Sequence, residues 1–140
     1  MKRIDKTSEP SGTLSIKVDA PDLPALFKQV AQAMFGLMID SAEIPKKPRK
    51  KVVKIEVKGG SQEEVLVAFL KELLNLSRTK EVIFRDIEIT ALEVIRASAI
   101  AVGIPRRHYQ LKTEIRSVTY QGLKIGYLNK QYHVQIIFEI

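Results

Sequence analysis

Two stretches carry apolar residues at helical spacing, and most of the chain after them alternates instead. From Leu26 to Ile39 the apolar positions Phe27, Val30, Met34, Leu37 and Met38 recur three or four residues apart, with Ala31, Ala33 and Gly36 among them. A helix apolar over so much of its circumference belongs in a core, and Met34 and Met38 read as core filling rather than as a binding surface. Asp22 is its expected N-cap, with Pro24 in the first turn. The second helix shows Val65, Leu66, Phe69, Leu70, Leu73 and Leu76 on one face. Ser61-Gln62-Glu63-Glu64 ahead of it matches a capping box, and the helix runs to about Ser77. Two helices followed by a strand-rich half imply an α+β fold. Its two main helices pack on a mixed, largely antiparallel sheet.

The strands follow period two. Leu14, Ile16 and Val18 alternate with polar residues, as do Val53, Ile55 and Val57. Gly59 and Gly60 end the second of these strands. From Glu81, Val82 and Phe84 and then Ile87 and Ile89 alternate with charged residues, and a further strand is expected over 94–102. The turn around Thr90 to Glu93 lacks Gly, Asn and Pro, so a helix over 89–101 remains the competing reading. Pro105 ends that segment, and a helical turn from Arg106 to Tyr109 follows. Strands are expected at 113–120, 122–128 and 132–140, the last two joined by a turn at Asn129-Lys130. Residues 1–11 are polar, contain Pro10, and read as a flexible N-terminus; 12–140 read as a single domain.

Composition removes several classes of function. The 140 residues contain no cysteine, which excludes a disulfide framework, a thiolate nucleophile and every cysteine-based metal site. No Gly-rich phosphate loop or nucleophile elbow occurs. His108 and His133, the two histidines, fall on different elements and form no metal pair. No apolar run approaches the ~20 residues that cross a bilayer. Met1-Lys2-Arg3 is not followed by an apolar leader segment, so no membrane association and a cytoplasmic location are expected.

The net charge of +7 points to an anionic partner or to a solvated basic surface. Its densest part is the connector 41–51, with Lys46, Lys47, Arg49, Lys50 and Lys51 between prolines. Contact with RNA phosphates is one reading. A solvated loop whose lysines discourage edge pairing is the other, and the plainer. The Arg106-Arg107 pair adds to the basic surface.

The densest polar chemistry lies in His108-Tyr109-Gln110-Leu111-Lys112-Thr113-Glu114-Ile115-Arg116-Ser117-Val118-Thr119-Tyr120-Gln121. This run resembles the most characteristic segment of the archease family. Ala33-Met34-Phe35-Gly36-Leu37-Met38, Phe69-Leu70-Lys71-Glu72-Leu73-Leu74 and the ending Ile137-Phe138-Glu139-Ile140 resemble other segments of that family in the same order. The resemblance implies a small cytosolic protein that is not itself an enzyme. It implies a protein partner, an RtcB-type RNA ligase of tRNA splicing and RNA repair, whose guanylylation and turnover the chain promotes. The partner and activation surface it implies is His108, Lys112, Thr113, Glu114, Arg116, Thr119 and Tyr120.

The resemblance also implies a divalent metal site, for calcium or magnesium, built from acidic residues. Four departures bear on it. Thr13 stands where the family has a ligand aspartate, Arg78 where it has a carboxylate, Gln121 where it has a histidine, and Glu139 where it has an aspartate. Glu139 and the adjacent Ile140 carboxylate are the remaining acidic candidates for the metal. A hydroxyl is a poor ligand for a hard cation, and a guanidinium repels one. Weak or absent metal binding is therefore expected. The alternative function is a degenerate archease-like module that binds RNA or a protein without activating a ligase.

Overall fold

The computed structural model describes residues 3–9, 12–120 and 122–140; Gln121 lies outside them. Its strands are β1 (Arg3–Glu9), β2 (Thr13–Ala20), β3 (Ile39–Ala42), β4 (Lys51–Lys58), β5 (Val82–Leu92), β6 (Arg96–Pro105), β7 (Tyr109–Leu111), β8 (Ser117–Thr119), β9 (Ile125–Leu128) and β10 (Gln131–Glu139). Its helices are α1 (Leu23–Met38) and α2 (Gln62–Lys80), and one 3-10 turn spans Arg106–His108. Every pair among the described strands is antiparallel.

The strands form three sheets. In the largest, β10 is the hub. It pairs with β2 from Tyr132 to Glu139, while β9 and then β8 share its other edge. β1 extends this sheet by running along β2, from Arg3 opposite Asp19 to Glu9 opposite Thr13. The sequence reading places a flexible terminus there. A strand edge leaves backbone donors and acceptors open, and a polar segment can pair with it because the ladder needs no apolar side chain. The second sheet has the order β4-β6-β5, and the third is the short pair β3-β7.

The helices begin where the caps place them. Asp22 accepts a hydrogen bond from the Ala25 N–H at 2.8 Å, and Ser61 Oγ accepts one from the Glu64 N–H at 3.2 Å. α2 continues beyond Ser77 to Lys80 and is closed by Glu81 in the left-handed region, φ 55°. The buried Ser77 hydroxyl donates to the Val82 carbonyl, which ties the end of the helix to the start of β5. α1 packs on β5 and β2, and α2 packs on β4 and touches β8. The helices meet through Phe27 and Phe69, with ring centroids 6.0 Å apart. Phe35 meets Phe84 of β5 edge-on at 5.9 Å.

Residues 82–105 form a hairpin, not a helix. Its turn closes with the Glu93 N–H donating to the Arg96 carbonyl at 2.8 Å. The shift in apolar phase between Phe84 and Ile87 has a physical cause: the pairing register slips between Phe84 and Asp86. An extra residue in one strand turns the following side chains to the other face.

The expected strand over 113–120 is broken. β7 ends at Leu111, residues 112–116 are irregular, and β8 covers only Ser117–Thr119. The reason is position. β7 belongs to the small sheet and β8 to the large one, so the chain must cross between them. Likewise the strand expected over 122–128 begins only at Ile125. β3, read as helix end and connector in the sequence, pairs with β7 instead.

The β9–β10 turn holds Asn129 and Lys130 at φ 54° and 63°. Two successive positive φ angles define the turn that favours Asn-Gly, and lysine is strained there. Lys130→Gly should raise stability by about 0.5–1 kcal/mol, read as a higher urea midpoint at unchanged slope.

Beside this turn, His133 Nδ1 lies 2.6 Å from Asp19 Oδ1 and Nε2 lies 2.9 Å from the Leu128 carbonyl oxygen. Both contacts are made in full only by the imidazolium, which donates from both nitrogens. The Leu128 carbonyl first, and the Asp19 hydrogen bond second, hold the His133 pKa above its ordinary 6.5. The folded pKa is the higher one. The stabilisation is therefore complete below the unfolded value and is lost as pH rises through the folded value. The stability gap between the parent and His133→Gln should be widest below the ordinary histidine pKa and shrink as pH rises through the raised folded value, measured by urea denaturation at each pH.

Candidate functional site

The irregular segment 112–116 is held at both ends and in the middle. The Lys112 N–H donates to the carbonyl of Met38, the last residue of α1, at 3.0 Å. The Arg116 N–H donates to the Glu139 carbonyl of β10 at 2.7 Å. Between them Ile115 is fully buried and anchors the segment in the core. From the last turn of α2, Arg78 Nη2 donates to the carbonyls of Ile115 at 3.2 Å and Arg116 at 2.9 Å. A segment outside any ladder leaves carbonyls open, and a guanidinium is a fixed multiple donor suited to them.

This bracing shapes a cleft of about 750 Å³ lined by Arg78, Lys112, Thr113, Glu114, Arg116 and Ile140. Three of the lining side chains are cations, and one, Glu114, is a carboxylate. Lys112, Glu114 and Arg116 are exposed, so their charges are hydrated and available to a partner. The cleft favours an anionic group or an acidic protein surface.

The structure brings together four of the seven residues expected at the activation surface: Lys112, Thr113, Glu114 and Arg116. The other three lie elsewhere. His108 sits in the 3-10 turn, beside a depression lined by Glu43, Arg107 and Gln110. Thr119 is half-buried in β8 opposite Ile137. Tyr120 is exposed at the end of that strand. Among the basic connector residues, Lys46 and Lys50 line a separate cavity with Arg85. Lys47, Arg49 and Lys51 are exposed, as is Arg107. Arg106 is half-buried, and its N–H donates to the Glu81 carbonyl at 2.9 Å.

The positions relevant to a metal converge but carry the wrong groups. Thr13 and Glu139 are direct partners across β2 and β10, so their side chains share one face of the sheet. Ile140 follows, its N–H donating to the Gly12 carbonyl at 2.9 Å. Arg78 reaches the same neighbourhood through the Arg116 peptide. Among the described residues, no three His, Cys, Asp or Glu side chains cluster as metal ligands. One side-chain carboxylate, a hydroxyl and a nearby guanidinium do not fit a hard divalent cation, which needs several anionic oxygens. Asp19 shares the face of Thr13 but lies farther along β2, paired with His133, and Asp22 caps α1, so neither joins Thr13 and Glu139 as a ligand. Gln121 lies outside the described residues.

The sequence pattern of the Archease protein family (MTH1598/TM1083) matches residues 11–140. The chain belongs to the archease family. Protein archease of Pyrococcus abyssi is 27% identical over 122 residues, covering 84% of each chain. Protein archease-like of Dictyostelium discoideum is 26% identical over 125 residues, covering 85% of this chain and 82% of that one. The solution structure of Methanobacterium thermoautotrophicum protein 1598 superposes with a TM-score of 0.72 at 19% identity, over 98% of both chains. The archease fold is thus shared along the chain.

Sequence reasoning singled out Arg78 but missed its use. The available signal was its place in the last turn of a helix, where a cation is at home. Arg78→Ala should lower stability by about 1 kcal/mol in urea denaturation. Arg78→Lys should recover only part of it, since an ammonium lacks the fixed fork.

Proposed function

We propose that this archease assists an RtcB-type RNA ligase of tRNA splicing and RNA repair by promoting its guanylylation and turnover. The protein is an accessory factor rather than an enzyme, and its contact surface is the cleft at 112–116. The observation that carries this reading is the presentation of Lys112, Thr113, Glu114 and Arg116 on one braced, solvent-facing segment. Lys112 and Arg116 meet acidic groups of the ligase or phosphate, and Glu114 orients them. Among the described residues no helix is long and apolar enough to cross a membrane. The cleft acts without a resident calcium or magnesium ion.

The donor set at Thr13, Glu139 and Arg78 favours a second reading, in which the chain binds a protein or RNA without activating a ligase. One experiment separates them. The chain is mixed with a cognate ligase and GTP, and ligase guanylylation is followed in time. Acceleration by substoichiometric chain is expected, falling about tenfold for Lys112→Ala or Arg116→Ala, the effect of losing one charged contact. Stoichiometric binding with no acceleration would instead establish the binding module. In a calorimetric arm, the chain alone should show no saturable heat with calcium.

A further inference from the structure

Away from the cleft, a second cavity of about 820 Å³ opens between α1, the connector before β4, and the bulge of β5. Three features built by separate parts of the chain converge on it.

The first is a buried hydroxyl. Tyr109 begins β7 and is only 7% exposed. It lines the cavity, and among the described residues its hydroxyl has no hydrogen-bond partner. A buried polar group left this way is costly, and a ligand that pairs with it removes that cost. Burial, ahead of the opposing effect of Arg85, holds the phenol pKa above its ordinary 10.0. At neutral pH it is therefore a neutral donor.

The second is the bulge. The register slip between Phe84 and Asp86 turns two successive side chains, Arg85 and Asp86, outward together. A regular strand would point them to opposite faces. Both line the cavity. The Arg85 carbonyl is fixed by Gln32 Nε2 of α1, which donates to it at 3.0 Å.

The third is the connector. Pro45 and Pro48 restrict its backbone, and Lys46 and Lys50 line the cavity. With Arg85, three cations face one carboxylate, Asp86. Ile44, Pro45, Pro48 and Ile104 supply an apolar wall. The volume lies within the range of small-molecule sites of ~300–1,000 Å³. A bare phosphate would leave most of it empty.

We propose that this cavity is a binding site for a phosphate monoester carried on a ring system, the chemistry of a nucleoside monophosphate. Lys46, Lys50 and Arg85 receive the phosphate, the prolines and Ile104 cover the ring, and the Tyr109 hydroxyl donates to a ring or sugar acceptor. The same chemistry is offered by a free mononucleotide and by the phosphorylated end of an RNA. The site is independent of the cleft at 112–116 and of the ligase reading.

The test uses the full chain alone, with amide chemical shifts and melting temperature as readouts. Its probes are adenosine 5′-monophosphate, adenosine, inorganic phosphate and a 5′-phosphorylated dinucleotide. Saturable shifts at Tyr109, Arg85 and Ile44 are expected with adenosine 5′-monophosphate. Adenosine and phosphate should each bind at least about tenfold more weakly, having lost one half of the contacts. Tyr109→Phe should weaken binding about fivefold to tenfold, while leaving the melting temperature of the free chain unchanged or higher. Arg85→Gln should abolish the preference for the monophosphate over adenosine. Tighter binding of the dinucleotide supports the site as an RNA-end pocket, and equal binding supports it as a mononucleotide pocket. Absence of saturable shifts with both phosphorylated probes overturns the proposal. So does binding that neither substitution changes, or a lower melting temperature for free Tyr109→Phe.

Discussion

The contact between Phe27 and Phe69, with ring centroids 6.0 Å apart, joins two helices that serve different sheets. α1 covers β5 and β2, and α2 covers β4 and reaches β8. Their buried faces close one core out of sheets that share no ladder. Burying a phenylalanine contributes about 1.5–3 kcal/mol, and α1 joins the two larger sheets by packing on both β5 and β2. The cleft depends on both helices directly. Segment 112–116 hangs between the C-terminal ends of both helices, from the Met38 carbonyl on one and the Arg78 guanidinium on the other. Helix C-termini present open carbonyls and favour cations, and this site uses both properties.

Charge then decides what the scaffold can hold. Here Thr13 faces Glu139 across the ladder and Arg78 sits behind the Arg116 peptide. A guanidinium repels a hard cation and a hydroxyl holds one poorly, so this face is unsuited to a divalent ion. Arg78 supplies bracing as well, since it donates to carbonyls that no ladder satisfies. The segment is ordered here by hydrogen bonds from a protein cation.

Much of the fold was legible because its signals are local. Asp22 and Ser61 cap the helices they were expected to cap, and Asn129-Lys130 turns the last hairpin. The alternation of Val134, Ile136 and Phe138 placed β10 in the core sheet. The apolar phase change after Phe84 was visible too, although its meaning as a bulge was not. What misled was continuity. Thr113 to Tyr120 alternates well enough to suggest one strand, yet the chain leaves one sheet and joins another within it. Of the residues expected at one surface, Lys112, Thr113, Glu114 and Arg116 lie together because they are neighbours on the crossing segment. His108, Thr119 and Tyr120 diverge because they belong to the elements on either side of it.

The sequence by itself determined the element types, the two amphipathic faces and the family. Periodicity, caps and residue chemistry are properties of short stretches, so they survive without coordinates. Only the tertiary structure decided that Arg78 holds the backbone of residues 115 and 116 across a separation of 37 and 38 positions. It alone showed that Tyr109, whose buried hydroxyl has no partner among the described residues, lines a cavity with Arg85 and Lys50. Those relations arise from burial and from sheets that meet in space, and neither is a function of spacing along the chain.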